Sequence, residues 1–164
     1  MIELKKVAFD MYDDFVKLAV HEHQETYVAS AMKSLAQAYV YMTQFNAPIT
    51  VYGIFANEEL VGFVKYCYYN ETDPAGKTFE PNCYHIWRLL VDKAHQGKGY
   101  GRAAAEHVLA KIKTMPHGKS DSIYVSYEPE NAASRALFAS FGFVETDKKF
   151  DEDDDEIIAR LEIA

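Results

Sequence analysis

The sequence predicts a single α/β domain over residues 1–164, in which helices flank one sheet. Its length and its 49% hydrophobic content are enough for one sizeable core and leave little room for a second. Segments rich in β-branched and aromatic residues alternate with segments of helical periodicity, and no internal repeat or low-complexity linker interrupts them. A glycine-rich turn joins one predicted strand to the strongest predicted helix.

The N-terminal quarter is predicted to form one strand followed by helices. Residues 2–8 have the composition of a short strand, and Asp10 is placed to cap a helix that follows it. From His21 to Tyr41, apolar residues recur every three or four positions. This spacing predicts a helical segment in two pieces, with a break near Ser30.

The middle of the chain predicts three strands. Residues 49–56 and 59–69 are rich in β-branched and aromatic side chains, and the Asn-Glu pair at 57–58 suits a tight hairpin turn. Residues 70–82 contain two prolines and a glycine, so we expect a loop there. Residues 83–91 form the third predicted strand, which leads into the glycine-rich turn.

The C-terminal half alternates helix and strand. The expected order is a helix over 102–113, a strand over 122–127, a helix over 131–141 that stops at Gly142, and strands near 143–149 and 156–163. The acidic run 151–156 joins the last two strands, and we interpret it as a solvated turn and not as a metal site.

Composition narrows the class of function. A formal net charge of −8 argues against nucleic acid and is compatible with a cationic substrate. The sequence shows neither an apolar run long enough for a membrane span nor a secretory signal, which predicts a cytoplasmic protein with no membrane partner. Cys67 and Cys83 lack metal-ligand or disulfide spacing, so we expect reduced strand residues and no bound metal.

The glycine-rich turn has the features of an anion site. Gly97, Gly99 and Gly101 let the backbone approach a ligand closely and turn its N–H groups toward one point. A helix that begins near Tyr100 adds the positive end of its dipole there. Two full positive charges come from the turn itself, on Lys98 and Arg102.

The spacing of this turn separates it from other phosphate-binding loops. It lacks the four residues that precede Gly-Lys in a P-loop, and Ala104 stands where the dinucleotide fingerprint requires glycine. The motif that fits is QxxGxG, formed by Gln96, Gly99 and Gly101 after the LLVD strand end at 89–92. In these residues the chain resembles the GNAT acetyltransferases.

A second segment strengthens this resemblance. Residues 130–143, ENAASRALFASFGF, are similar to the NxxAxxLYxxxGF block of the same family, with matches at Asn131, Ser134, Leu137, Gly142 and Phe143. If the second block were a coincidence, a nucleotide-binding or dinucleotide-binding module would remain as an alternative.

The resemblance implies a fold and a cofactor. We expect a mixed, mostly antiparallel sheet of about six or seven strands flanked by helices, splayed between residues 83–91 and 122–127. Acetyl-CoA is the implied co-substrate, with the pantetheine on strand amides, the pyrophosphate on the glycine turn and Asn131 orienting the pantetheine arm. The cofactor-binding residues expected on this basis are Leu89, Leu90, Val91, Gln96, Gly97, Lys98, Gly99, Tyr100, Gly101, Arg102, Asn131, Ser134 and Phe138.

Two positions with an expected catalytic role match the family pattern less closely. The family's usual tyrosine, which protonates the departing thiolate, is replaced by Phe138, so we expect either a slower enzyme or another donor such as Tyr127. His85 aligns with the position where some GNAT members carry a catalytic glutamate, and imidazole has a suitable pKa for a base. The alternative for His85 is simple packing or hydrogen bonding in the sheet.

The acceptor predicted from the sequence is a small-molecule amine. Residues 20–38 resemble the spermine and spermidine acetyltransferase branch at Val20, Gln24, Tyr27, Ser30 and Lys33. A polyamine site requires carboxylates and aromatic faces along a groove, and we expect Glu22, Glu25 and Tyr27 to supply them. The alternatives are a solvated acidic helix face with another acceptor (a protein N-terminus, an aminoglycoside or an amino acid) or a non-catalytic acyl-CoA sensor. A homodimer is plausible from the resemblance alone.

Overall fold

The structure, a computed structural model, describes residues 1–70 and 79–164. Within these residues the strands form one seven-stranded sheet of order β1-β2-β3-β4-β5-β7-β6. The strands are β1 (Ile2–Lys6), β2 (Ile49–Ala56), β3 (Glu59–Tyr69), β4 (Cys83–Val91), β5 (Ser122–Tyr127), β6 (Val144–Glu145) and β7 (Ile157–Glu162). The α-helices are α1 (Tyr12–Phe15), α2 (Ala31–Gln44), α3 (Tyr100–Lys113) and α4 (Ala132–Ser140).

The mixed, mostly antiparallel sheet confirms the fold class predicted from the sequence. Four strands have the predicted bounds, at 49–56, 59–69, 83–91 and 122–127. The hairpin turn is also confirmed, because Asn57 and Glu58 adopt the left-handed φ values of 49° and 71° that a tight two-residue turn requires. None of the helices in the described ranges has the length and apolar character that a membrane span requires.

The N-terminal helical prediction was only partly correct. The first helix is a single turn preceded by Met11, and Asp10 does not cap it. Between Ala19 and Ser30 the chain forms only one 3₁₀ turn, Glu22–Gln24, because this segment is bound to the loop that follows β4. The predicted break is confirmed, since the Ser30 hydroxyl accepts the Lys33 N–H at 3.1 Å and caps α2.

The C-terminal elements differ from the prediction mainly at their ends. The strand predicted over 143–149 is confined to the two residues of β6, and β7 begins one residue later than expected. Asn131 and Phe141 flank α4 as caps and are not helical residues themselves. Most of the predicted loop 70–82, residues 71–78, lies outside the described residues.

Helices pack on both faces of the sheet. On one face, α3 buries Ala104, Val108 and Ile112, and α4 buries Phe138, against β1 to β5 and β7. On the other face, Phe15 of α1 and Ala31 of α2 pack around Phe63 and Leu90. Cys67 and Cys83 are both buried in the sheet, as predicted for strand residues.

The sheet opens between β4 and β5. These strands run parallel, and their ladder ends where Ile86 meets Val125, although β4 continues to Val91. A β-bulge lies at this point, because β4 contributes the extra residue Trp87 between the pairs that Ile86 and Arg88 make with β3. A bulge bends its strand, which accounts for the divergence at this position. The split predicted between these two strands is therefore present.

Candidate active site

Two adjoining cavities lie at the split between β4 and β5. The first, of about 250 Å³, is bordered by the end of β4, the turn 95–101 and the start of α4, and is called here the glycine-loop cavity. The second, of about 290 Å³, is bordered by residues 25–29, the bulge of β4, the end of β5 and Glu156, and is called the acidic cavity. They adjoin because five residues line both: Tyr27, Val28, Leu89, Asn131 and Ser134.

Most of the residues expected to hold the cofactor meet in the glycine-loop cavity. Those that line it are Leu89, Leu90, Val91, Gln96, Gly97, Gly99, Tyr100, Gly101, Asn131 and Ser134. Three others do not line it. Lys98 is exposed at the surface, Arg102 reaches back to the Ser140 hydroxyl at 2.9 Å, and Phe138 lines the acidic cavity instead.

The backbone of the glycine-rich turn is open toward a ligand. Gly97 and Gly99 have the left-handed φ values of 77° and 81°, which non-glycine residues rarely adopt. A Cβ atom added at either position would meet no atom within 4 Å. Gly99 is also the N-cap of α3 and offers no side-chain acceptor, so the first N–H groups of this helix remain available for an anion.

A pair of glutamines joins this turn to the N-terminal segment. Gln96 Nε2 donates to the Gln24 Oε1 atom at 2.9 Å, and Gln24 Nε2 donates to Gln96 Oε1 at 3.2 Å. Gln96 Nε2 also lies 3.0 Å from the carbonyl oxygen of Val91. The glutamine of the QxxGxG motif therefore braces the turn against the strand and against the 3₁₀ turn of the N-terminal segment.

Asn131 both caps a helix and borders the two cavities. Its Oδ1 atom accepts the Ser134 N–H at 3.3 Å, so it caps α4, and its side chain borders both cavities. The structure thus agrees with the helix-cap role and places the same residue where it could contact a ligand.

The acidic cavity holds charges of both signs. Its carboxylates come from Glu25, Glu128 and Glu156, and its cations from Lys33 and Arg88. Its aromatic wall consists of Tyr27, Trp87, Tyr127 and Phe138. Of the residues predicted to bind the acceptor, Glu25 and Tyr27 line this cavity, whereas Glu22 is exposed and lines neither cavity.

Glu156 was not recognised from the sequence as a site residue. It stands directly before β7 at the end of the acidic run, and its backbone N–H donates to Asp154 Oδ1 at 2.8 Å. Burial, together with the nearby carboxylates of Asp154 and Glu128, raises its pKa to about 7, while Arg88 acts in the opposite direction. The signal was obscured because a run of six acidic residues has the composition of a solvated turn.

His85 does not line either cavity. Its side chain is fully buried, with Nδ1 3.2 Å from the Tyr69 hydroxyl and Nε2 3.0 Å from the Ser126 hydroxyl. Burial, with smaller effects from Lys65 and Arg88, lowers its pKa to about 3. The packed, hydrogen-bonded arrangement weighed as the alternative for His85 is the one present, and Ser126 stands between the imidazole and the acidic cavity.

Tyr127 and Phe138 lie together in the acidic cavity. Their rings stack with an interplanar angle of 5° and centroids 6.4 Å apart. The Tyr127 hydroxyl donates to Glu145 Oε1 at 3.2 Å, and Arg135 binds the same carboxylate. Burial and the Glu145 carboxylate raise the pKa of Tyr127 to about 12, which makes this phenol a weaker acid than an ordinary tyrosine.

Comparison with known proteins agrees with this geometry. A model of the acetyltransferase (GNAT) family matches residues 10–143. A probable spermine N(1)-acetyltransferase from Bacillus subtilis subsp. natto is 27% identical over 144 residues, which covers 87% of each chain. Among solved structures, an aminoglycoside acetyltransferase in complex with coenzyme A has a TM-score of 0.77 at 14% identity and covers 99% of this chain and 95% of its own. The PaiA N-acetyltransferase from Thermoplasma acidophilum, also in complex with coenzyme A, has a TM-score of 0.68 at 16% identity and covers 99% of both chains.

Proposed function

The chain belongs to the acetyltransferase (GNAT) family, and on that premise we propose that it transfers an acetyl group from acetyl-CoA to a primary amine of a polyamine. The family makes it an acetyl-CoA-dependent N-acetyltransferase. This assignment favours an enzyme over the sensor and the nucleotide-binding module that the sequence alone left open. The acceptor and the individual residue roles are the parts that we propose.

The glycine-loop cavity suits the co-substrate. Acetyl-CoA supplies an acetyl group that is activated as a thioester, and its thiol has an ordinary pKa of about 8.5, so it leaves readily. We assign the pyrophosphate to the N–H groups of the turn 97–101 and the start of α3, with Lys98 and Arg102 as the nearest cations of that turn. The β4 backbone from Leu89 to Val91 lies beyond the end of the β5 ladder and is assigned to the pantetheine arm.

The observation that supports an amine acceptor of high positive charge is the acidic cavity beside this site. Three carboxylates and an aromatic wall meet there, and both kinds of group attract ammonium ions. The curated relative that matches most of the chain is a probable spermine acetyltransferase. Because the cavities share Leu89 and Asn131 on their walls, an amine in the acidic cavity can reach a thioester in the other.

One feature favours a second candidate. Arg88 and Lys33 also line the acidic cavity, and either can bind a carboxylate. An amino acid with a side-chain amine is therefore the alternative acceptor. Arg88 is already hydrogen-bonded to Gln37 and lies 5.2 Å from the Trp87 ring centroid, which makes it the more committed of the two cations.

Release of CoA thiol from acetyl-CoA tests the acceptor. We would measure kcat/KM for spermine, spermidine, lysine, an aminoglycoside and a peptide with a free N-terminus. We expect the two polyamines to exceed the other amines by at least about tenfold, a difference of about 1.4 kcal/mol. Equal or higher kcat/KM for lysine would move the assignment to the amino-acid acceptor, and preference for the aminoglycoside or the peptide would equally contradict a polyamine.

A pair of matched variants tests the site itself. Glu25→Gln removes a carboxylate from the acidic cavity, and Glu22→Gln makes the same change three residues away on a side chain that lines neither cavity. We expect Glu25→Gln to raise KM for the polyamine about two- to fivefold, the size of an exposed charge pair, with KM for acetyl-CoA unchanged. Glu22→Gln should behave as wild type. Equal effects of the two variants would show that only the overall charge matters.

A further inference from the structure

Two glutamates that line the acidic cavity adjoin the end of the β5–β7 ladder. The antiparallel register pairs Ser122 with Glu162 and ends with Tyr127 opposite Ile157. Glu128 follows Tyr127 and Glu156 precedes Ile157, so the two glutamates flank the last pair of this ladder. Both line the acidic cavity, and the Glu128 carboxylate disfavours the charged form of Glu156.

We propose that Glu156 is the group that takes the proton from the attacking ammonium, a role that rests on the amine acetyltransferase activity proposed above. Its side chain lines the acidic cavity, and the cavity continues past Leu89 and Asn131 to the cofactor side. Its backbone is fixed between β7 and the hydrogen bond to Asp154. A proton acceptor must lie in the space that holds the amine, and Glu156 lines the cavity that we assign to the acceptor.

The charged groups around Glu156 come from several elements, and Lys149, which precedes the acidic run, donates from Nζ to the Glu156 carbonyl at 3.3 Å. Asp154 precedes it in the same turn, Glu128 follows β5, and Arg88 projects from β4. Glu25 and Lys33 face the same cavity from the N-terminal segment and α2. Burial and the neighbouring carboxylates disfavour the charged form of Glu156, whereas Arg88 favours it. The resulting pKa of about 7 is near the value that suits a base at neutral pH.

The proposed step is balanced in protons and electron pairs. The ammonium, with an ordinary pKa of about 10.4, first loses a proton to the Glu156 carboxylate. The freed nitrogen uses its lone pair to bond to the acetyl carbonyl carbon, and the C–S bond breaks with its electron pair on sulfur. The nitrogen sheds a second proton, which ends on the CoA thiolate, and Glu156 returns its proton to water.

His85 is less suited to this role in the present geometry. Both of its ring nitrogens are already hydrogen-bonded, and no carboxylate adjoins the ring to stabilise an imidazolium within the described contacts. Charging the ring would place an unpaired cation in a buried aromatic environment near Lys65, which costs free energy. The base expected on β4 from the family resemblance is thus replaced, in this proposal, by a carboxylate that precedes β7.

The decisive experiment compares pH profiles of kcat/KM for Glu156→Gln and wild type with the best acceptor of the panel. Wild type should lose activity as the pH falls below about 7, because protonation of Glu156 removes the base, and should be level above it. In Glu156→Gln we expect kcat/KM to fall by about 10²- to 10⁴-fold. Its profile should then rise with pH toward the amine pKa of about 10.4, because only the free amine can react.

Three further variants separate proton transfer from structure. Glu152→Gln makes the same change in the same acidic run on an exposed residue that lines neither cavity, and it should match wild type. Glu156→Asp keeps a carboxylate one methylene shorter and should retain the loss of activity near pH 7 with a smaller reduction in rate. Glu128→Gln removes the opposing charge and should move that loss of activity to lower pH. CoA affinity, measured by calorimetry, should be unchanged in all of them.

A direct titration distinguishes the failure of this proposal from the failure of the polyamine assignment. In protein labelled with ¹³C at glutamate carboxyls, the NMR signal absent from Glu156→Gln should titrate near pH 7 without any acceptor. Titration near the ordinary value of about 4.3, or an unaltered kcat/KM profile in Glu156→Gln, would overturn Glu156 as the base. If Glu156→Gln loses activity on an amine that is not a polyamine, the base stands and only the acceptor assignment falls.

Discussion

At the scale of single residues, Lys65 is the most unusual group outside the two cavities. It is fully buried on β3, with Nζ 3.6 Å from the Trp87 ring centroid and 3.3 Å from both the Ser34 carbonyl and Gln37 Oε1. Burial and the adjacent Arg88 lower its pKa to about 6, although the ring and the two acceptors favour the charged form. Burial thus shifts Lys65 toward the neutral amine, while its Nζ stays in contact with the Trp87 ring.

The lowered pKa of Lys65 predicts a specific dependence of stability on pH. In the unfolded chain this lysine binds its proton up to about pH 10.4, whereas the folded protein releases it above about pH 6, so stability rises with pH in between. From pH 7 to 8.5 we expect a gain of at most about 2 kcal/mol in the free energy of unfolding from this residue. Urea denaturation of wild type and Lys65→Met at both pH values checks this, and parallel pH dependences in the two proteins would contradict it.

Some residues of the candidate site could be identified from the sequence, and others could not. Gln96 and Gly99 could be placed together from the sequence because the turn that contains them is local, and both line the glycine-loop cavity. Glu156 could not be identified, because it adjoins the last pair of the β5–β7 ladder and reaches the acidic cavity from far along the chain. The burial of His85 likewise depends on Tyr69 and Ser126, which come from two other strands.

At the scale of elements, the segment between α1 and α2 is bound to the end of β4. The Asp92 Oδ2 atom accepts the Ala19 N–H at 3.0 Å, and Oδ1 accepts the Ala94 N–H at 3.0 Å. The Lys93 N–H donates in turn to the Ala19 carbonyl at 2.8 Å. These bonds hold the segment as a wall of both cavities, and they explain why its helical periodicity yields only one 3₁₀ turn.

Substituting Asp92 tests this connection. Asp92→Ala removes a charged acceptor from two backbone N–H groups, and each such bond is worth about 1.5 to 3 kcal/mol. We expect lower stability, faster hydrogen exchange at the Ala19 amide and a higher KM for acetyl-CoA. Asp92→Asn keeps one acceptor oxygen, so its stability and its KM for acetyl-CoA should lie between those of wild type and Asp92→Ala. If Ala19 exchange rises while KM for acetyl-CoA stays at the wild-type value, the segment does not help to form the cofactor site.

The elements themselves were more predictable than their ends. Strand composition gave the full bounds of β2, β3, β4 and β5, because each is a continuous run of β-branched and aromatic residues. Composition could not reveal the bulge at Trp87, since a bulge is a relation between two strands and not a property of one. The split between β4 and β5 was expected only from the family resemblance, and the bulge supplies its physical cause.

At the scale of the whole molecule, the proposed function requires two ligands of opposite charge to reach one split in the sheet. The chain carries a net charge of −8, which attracts a polyamine from a distance and repels the phosphates of acetyl-CoA. Under the proposed site assignment, acetyl-CoA is bound by short-range groups, namely the N-terminus of α3 and the backbone of the glycine turn. The acceptor side has the carboxylates of the acidic cavity, which act in the same direction as the net charge.

Because the net charge attracts the polyamine and repels acetyl-CoA, we expect salt to change kcat/KM differently for the two ligands. The screening length falls from about 30 Å at 0.01 M salt to about 8 Å at 0.15 M, so long-range attraction is lost over that range. We expect kcat/KM for the preferred polyamine to fall by about tenfold or more, the lower end of what electrostatic steering contributes. A primary monoamine, which carries one charge, should lose much less, and kcat/KM for acetyl-CoA should stay level or rise as repulsion is screened. Steady-state assays at both salt concentrations decide the matter. Equal losses for polyamine and monoamine would mean that the acidic surface does not guide the acceptor, and that recognition rests on contacts inside the cavity alone.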